Sequence, residues 1–149
     1  MTSMNHLVFL DTGAGELEKI LSGVKSMIVK EFDPATACPV RPGDSLYFLR
    51  NNDECILRVK ATVVRVVPVV NGLNEDLSHT LKEMQPRLQL TEDQYNYWSR
   101  KEQVLLVEFN SADKIASIHI ASNNIEDRSD WIAFEEFSLV TREKSSYEY

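Results

Sequence analysis

The sequence predicts a mixed α+β fold: a small β-barrel of about six strands, with one early helix and a two-helix insertion. Runs rich in β-branched and aromatic residues recur between clusters of Gly, Pro, Asn and Asp, the pattern of short strands joined by turns. An amphipathic helical face precedes most of them: Leu17, Ile20, Leu21 and Val24 fall at i, i+3, i+4 and i+7. Helices and strands do not alternate along the chain, so the parallel crossovers of a doubly wound sheet are not required.

Taken in order, His6 to Leu10 is short and apolar and reads as the first strand. Asp11 or Thr12 is placed to cap the early helix, with Glu16 and Glu18 near the positive end of its dipole. Gly23 follows the last periodic residues as the glycine that ends the helix in a left-handed conformation. Lys25 to Phe32 reads as a strand, with Met27, Val29 and Glu31 on one face and Ser26, Ile28 and Lys30 on the other. Asp33 to Val40 contains Pro34 and Pro39 and reads as a loop. Arg41-Pro42-Gly43-Asp44 has the composition of a type II turn and leads into strand Ser45 to Arg50. Asn51-Asn52-Asp53 reads as a hairpin turn. Cys55 to Val70 reads as a long strand, bent or bulged near Pro68.

Asn71-Gly72 breaks that strand. Leu73, Leu77, Leu81 and Met84 have helical spacing, which predicts a helix ending before Pro86. Thr91-Glu92-Asp93-Gln94 is a capping box opening a further helix through about Lys101. Gln103 to Phe109 and Ile115 to Ala121 are expected as two strands, Ser122 to Asp130 as a polar loop and Trp131 to Val140 as the last strand. Thr141 to Tyr149 is expected to fray.

A chain of 149 residues suggests one domain spanning residues 1–149, with a core over about 6–140. Its first residues carry no basic stretch ahead of a long apolar run, so no signal peptide is expected. No window approaches the ~18 apolar residues of a membrane span, and the expected location is cytoplasmic. Cys38 and Cys55, the two cysteines, are too far apart for a CxxC pair. His6, His79 and His119 make no metal-ligand spacing, so neither a metal nor a cofactor is expected. The net charge of −7 argues against a sequence-blind binder of nucleic-acid backbone. The charge is uneven, however: residues 24–66 carry seven Lys and Arg against five acids, whereas residues 67–149 carry eight against fifteen.

The residues from Ile20 to Lys30 stand out in that basic region. A helix that stops at Gly23 and continues at once into Lys25-Ser26 sets an ammonium and a hydroxyl beside a helix end. Together with Arg41-Pro42-Gly43-Asp44 and the apolar run after it, Gly23-Val24-Lys25-Ser26 resembles the ASCH domain, a branch of the PUA-like β-barrel superfamily. The family pattern is Gly-x-Lys-Thr-x-Glu-x-Arg followed by a Pro-Gly-Asp turn into a strand. The capped helix from Thr91 and the strand Val104 to Phe109 are similar to the family's closing helix and strand. The resemblance spans most of residues 6–120.

It implies a PUA-like barrel with a cleft at the helix-to-strand junction that binds RNA or a nucleotide. One branch of the family hydrolyses the amide of N4-acetylcytidine with a lysine, a threonine and a glutamate. Gly23 and Lys25 match the pattern, Ser26 stands for threonine, and Lys30 keeps the arginine's charge without its bidentate fork. Ile28 departs from it: the family's glutamate, and the nucleophilic threonine of the hydrolytic branch, fall at that offset. Isoleucine is neither nucleophile nor base. The expected function is therefore a non-catalytic RNA- or nucleotide-binding module, with Gly23, Lys25, Ser26, Lys30 and Arg41 as ligand-binding residues and no catalytic residue. The alternatives are an amidohydrolase of N4-acylated cytidine-type nucleosides, for which Glu31 and Glu83 are candidate acids, and a protein-interaction domain with a vestigial cleft.

Each of these residues also has a plain structural reading. Lys25 can be a solvated lysine at a helix C-terminus, and Lys30 and Arg41 outward charges on a strand and a turn. Tyr95, Tyr97 and Trp98 can stack on a base or, at helical spacing, pack inward, and Trp131 and Phe134 have the same two readings. His119 alternates with Ile118 and Ile120 and is expected on the more exposed face. Glu126, Asp127 and Asp130, interrupted by Arg128, read as a solvated loop.

Overall fold

Side chains alternate across a strand, so a sheet with an apolar core on each face must be covered twice. The computed structural model describes residues 4–10, 12–31, 40–50, 56–70, 76–119 and 131–134, and of Thr12, Arg50, 56–58, Ser111, 116–119 and 131–134 the backbone alone. In chain order the elements are β1 (Asn5–Leu10), α1 (Glu16–Leu21), β2 (Met27–Glu31), β3 (Ser45–Arg50), β4 (Ile56–Val70), α2 (Leu77–Glu83), α3 (Gln85–Leu88), α4 (Glu92–Ser99), β5 (Gln103–His119) and β6 (Trp131–Phe134). The strands form one sheet in the order β2-β5-β4-β3-β1-β6, curled into a half-barrel. The mixed α+β architecture expected from the sequence, six strands with an early helix and a helical insertion, is the one observed.

The β4–β5 ribbon is the spine of the sheet, paired antiparallel from Ile56↔His119 to Val70↔Gln103. β2 pairs antiparallel with β5, β3 with β4 and β6 with β1, while β1 and β3 run parallel from Asn5↔Ser45 to Leu10↔Arg50. Along β5 the parity of the side chains separates two cores. Leu105, Val107 and Phe109 point to the concave side, where they meet Val8, Leu10, Ile28, Leu46, Phe48, Val59, Ala61, Val63 and the α1 residues Leu17 and Ile20. Val104 and Leu106 point to the convex side, where Met27, Val69, Leu77, Leu81, Leu88 and Leu90 cover them. The early helix thus plugs the concave face and the insertion covers the convex one.

Three expectations are corrected in detail. Residues 103–109 and 115–119 are not two strands but parts of the single β5, which β4 pairs along its length. Pro68 sits in register opposite Leu105, and the irregularities of the ribbon lie instead between Leu57/Val59, Lys60/Thr62 and Val63/Arg65. The second helix ends before Pro86, as expected, at Glu83; a further short helix, α3, follows from Gln85 and carries Pro86 in its first turn, where the missing N–H costs no hydrogen bond. The cap of α1 is neither Asp11 nor Thr12 but Gly15, at φ 66°, after a 3-10 turn over Thr12–Ala14. Cys38, Cys55, the loop over 33–39, the turns at 51–53 and 71–72, the start of the second helix at 73–75, the loop from Ser122 to Asp130 and the tail from Thr141 lie outside the described residues.

Arg41–Asp44 forms the expected turn: Gly43 has φ 96° and the Asp44 N–H donates to the Arg41 carbonyl at 3.1 Å. Its aspartate does more than end the turn. The buried Asp44 carboxylate accepts from Met4 N (3.1 Å), Arg41 N (3.0 Å) and His6 Nε2 (2.9 Å), tying the start of β1 to the start of β3. Burial pulls the His6 imidazole below its ordinary pKa of 6.5, against the opposing pull of Asp44, and the Lys30 charge adds to the lowering. A histidine with a depressed folded-state pKa binds its proton more readily in the unfolded chain. Its contribution is therefore full above about pH 6.5 and is lost as the pH falls from there through the folded value. The urea midpoint should drop on acidification from about pH 7.5 to about pH 5.5, and His6→Gln, which retains a donor for Asp44, should flatten that drop.

Candidate functional site

The site begins with the way α1 ends. The Gly23 N–H donates to the Ile20 carbonyl and the Val24 N–H to the Lys19 carbonyl, each at 3.1 Å, the paired bonds of a Schellman motif. Gly23 supplies the left-handed residue at φ 87°, and no atom lies within 4 Å of where a Cβ would stand. The Lys25 N–H also reaches the Lys19 carbonyl at 3.1 Å. The chain is thereby turned back sharply, and the Lys25 side chain enters the protein rather than the solvent.

Lys25 is 1% exposed, among the most deeply buried large side chains among the described residues. Its Nζ donates to the Leu88 carbonyl at the end of α3 and lies 3.5 Å from Oε2 of Glu16, in the first turn of α1. Burial pushes the ammonium below the usual lysine range, and Glu16 pulls it back up. The same Glu16 oxygen accepts from Gln94 Nε2 at 3.0 Å. Gln94 belongs to the predicted capping box of α4, whose other half is made by Thr91 N donating to Gln94 Oε1 at 3.0 Å. Nearby, Lys19 Nζ donates to the Gln89 carbonyl at 3.1 Å, so two lysines satisfy carbonyls that the end of α3 leaves without a helical partner.

Ser26 follows with both backbone groups engaged: its N–H donates to the Arg87 carbonyl (2.9 Å) and its carbonyl accepts from Phe109 N (3.0 Å). Its half-buried hydroxyl has no hydrogen-bond partner among the described residues. Lys30 is half-buried and shares the concave-side parity of Ile28. It stands four residues beyond Ser26, about 13 Å along extended chain, and its charge is felt by His6. Gly23 and Ser26 therefore adjoin Lys25 directly, and Lys30 lies further along the same strand. Arg41 is exposed and contributes its backbone N–H to Asp44; no contact joins it to Lys25 among the described residues.

The acid beside Lys25 is Glu16, which sequence reasoning placed only at a helix dipole. Glu31 and Glu83 point outward, with side chains 68% and 61% exposed, and pair with Lys101 and His79. Of the aromatic candidates, Tyr95 and Trp98 pack against the convex core, while Tyr97 faces out beneath Lys101 Nζ, 4.6 Å from the ring centroid. No group of three His, Cys, Asp or Glu side chains is placed to hold a metal among the described residues, and no described helix is long and apolar enough to cross a membrane.

No family model matches the chain, and no curated protein matches it. Among solved structures the fold is similar to that of ASCH from Zymomonas mobilis, at 13% identity and a TM-score of 0.64, covering 93% of this chain and 96% of that one. A serine-to-alanine mutant of that protein is similar at 14% identity and TM-score 0.64 over 92% of this chain and 96% of that one. A tyrosine-to-phenylalanine mutant is similar at 15% identity and TM-score 0.64 over 92% and 99%. At these identities the likeness is one of fold, and the fold is that of the ASCH domain.

Removing one member of a buried ion pair strands the other. Lys25→Met should destabilise the protein by about 3–5 kcal/mol in urea unfolding, and adding Glu16→Gln should cost less than the two single changes summed, the signature of a coupled pair. Gly23→Ala meets no steric obstacle, so only the left-handed backbone is penalised. Its cost should be about 1 kcal/mol.

Proposed function

We propose that this chain is a non-catalytic module that binds RNA or a nucleotide-like ligand at the junction between α1 and β2. The Ser26 hydroxyl carries this reading. It is half-buried, lacks a partner among the described residues and is held by a backbone bonded at both its N–H and its carbonyl. Such a group is ready to bond a polar edge of a ligand without reordering the protein. The open space over Gly23 lets a ligand approach the turn, and Lys30 offers a cation to a phosphate further along β2. Lys25 then serves by position: its ammonium faces the protein and fixes the junction on which Ser26 sits. The ASCH fold and the Gly-x-Lys motif support the same ligand class.

A second reading, an amidohydrolase of N4-acylated cytidine-type nucleosides, is favoured by one observation, the lysine with a lowered proton affinity next to a glutamate. Against it, Ile28 is buried in the concave core where the hydrolytic branch has its nucleophile, and Lys25 is enclosed.

Fluorescence anisotropy with a short labelled single-stranded RNA tests the binding reading. Ser26→Ala should weaken binding by about 2–10-fold, the worth of one hydrogen bond. Lys30→Met should lower the salt slope of log Kd by about 0.7, one phosphate contact on a single strand. Affinity unchanged in both variants removes the proposal. Stoichiometric release of acetate from N4-acetylcytidine would replace it with the hydrolase reading.

A further inference from the structure

A second cationic feature lies one residue from Ser26 on the other side of the sheet. Glu108 faces the convex side, by the parity of Val104 and Leu106, and is the register partner of both Met27 and Arg65. Its carboxylate accepts from Arg65 Nε at 2.9 Å through Oε1, and Arg87 Nε lies 3.4 Å from Oε2. Arg87 comes from α3, and its backbone carbonyl is the one that accepts from Ser26 N. One carboxylate thus holds two guanidiniums by their Nε edges. Two permanent cations are set against one anion.

Both arginine side chains remain 48% exposed, and no further partner engages either of them among the described residues. Each guanidinium carries five N–H donors in a planar fork, more than its contact with Glu108 uses. The shared carboxylate draws the two guanidiniums together, which lowers the ordering cost of a ligand that bridges them. An oxyanion with several acceptor oxygens suits that arrangement, and a phosphate has the geometry that arginine forks match bidentately. A single surface ion pair needs one arginine; a second drawn to the same carboxylate makes a site with charge to spare.

We infer that Arg65 and Arg87, drawn together by Glu108, form a phosphate-binding clamp on the convex face, distinct from Lys30 and able to take a further phosphate of an RNA strand that passes round the sheet edge at β2 from Ser26. This deepens the binding reading and rests on it for the identity of the ligand, whereas the clamp itself is tested with a simpler probe. In a 1H–15N spectrum of the whole protein, inorganic pyrophosphate should shift the Nε–H signals of Arg65 and Arg87 together and saturably. That measurement needs no variant, so it stands even if substitutions impair folding. With the single-stranded RNA, Arg65→Gln/Arg87→Gln should reduce the salt slope of log Kd by about 1.4, two phosphate contacts at 0.7 each, with the far-ultraviolet circular dichroism unchanged.

Pyrophosphate that leaves both signals unmoved, or moves them linearly without saturation, overturns the clamp. An RNA salt slope unaltered by the double substitution overturns its role toward the ligand, and the junction reading survives if Ser26→Ala still weakens binding. Saturable pyrophosphate binding in a protein that ignores RNA supports the clamp while removing the RNA reading.

Discussion

The burial of one ammonium group governs how this protein is assembled. Withdrawing a lysine from water costs several kcal/mol unless its donors find acceptors and its charge finds a partner. Lys25 meets that demand from two directions, with the Leu88 carbonyl from α3 and the Glu16 carboxylate from α1. Glu16 is in turn held by Gln94 from α4. Those three helices come from both sides of the sheet, α1 on the concave face and the insertion on the convex one. The lysine therefore works as a rivet through the end of the half-barrel, and neither layer can shift without exposing a buried charge.

The separations involved show which parts of this arrangement the sequence revealed. Gly23 was legible as a helix stop because a Schellman turn is written in six consecutive residues, and the Thr91–Gln94 capping box because it needs four. The apolar face of Leu17 and Ile20 was legible from its period. Lys25 and Leu88 are 63 positions apart, Glu16 and Gln94 78, and no local pattern announces such pairs. The motif drew attention to Lys25, but its acid was sought at Glu31 and Glu83 and found at Glu16. A glutamate in the first turn of a helix has a sufficient local explanation in the dipole, and that explanation concealed its second partner.

The errors over the elements have a similar origin. Asn110 to Lys114 is polar enough to be read as a break between strands, yet β4 supplies a partner through Asn110, Asp113 and Lys114, and the backbone continues. Pairing overrides propensity there, since a strand backbone is stabilised by its neighbour rather than by its own side chains. The second helix ends before Pro86 as expected, but a proline also conceals the short α3 after it: in the first turn of α3 the N–H that Pro86 lacks would have had no helical acceptor. Position within the element, which depends on where the preceding helix ends, decided the matter.

The two short motifs behind the family resemblance share a physical property. Each contributes a buried polar lock: Lys25 across the helices, and Asp44, through Met4, Arg41 and His6, across β1 and β3. Residues of this kind cannot be exchanged for apolar or solvated ones without stranding their partners. A motif made of such locks transmits architecture first. Chemistry depends on the positions between them, and there this chain has Ile28 packed into the concave core. Because Lys25 is held by protein acceptors, it reaches a ligand only by giving them up, and the binding we propose therefore assigns contact to the groups around it: the Ser26 hydroxyl, the open turn at Gly23, Lys30 and the paired arginines on Glu108. On that proposal, rigidity set by the buried lysine and recognition set by its neighbours are separable roles, and substitutions at the two kinds of position should report on stability and on affinity respectively.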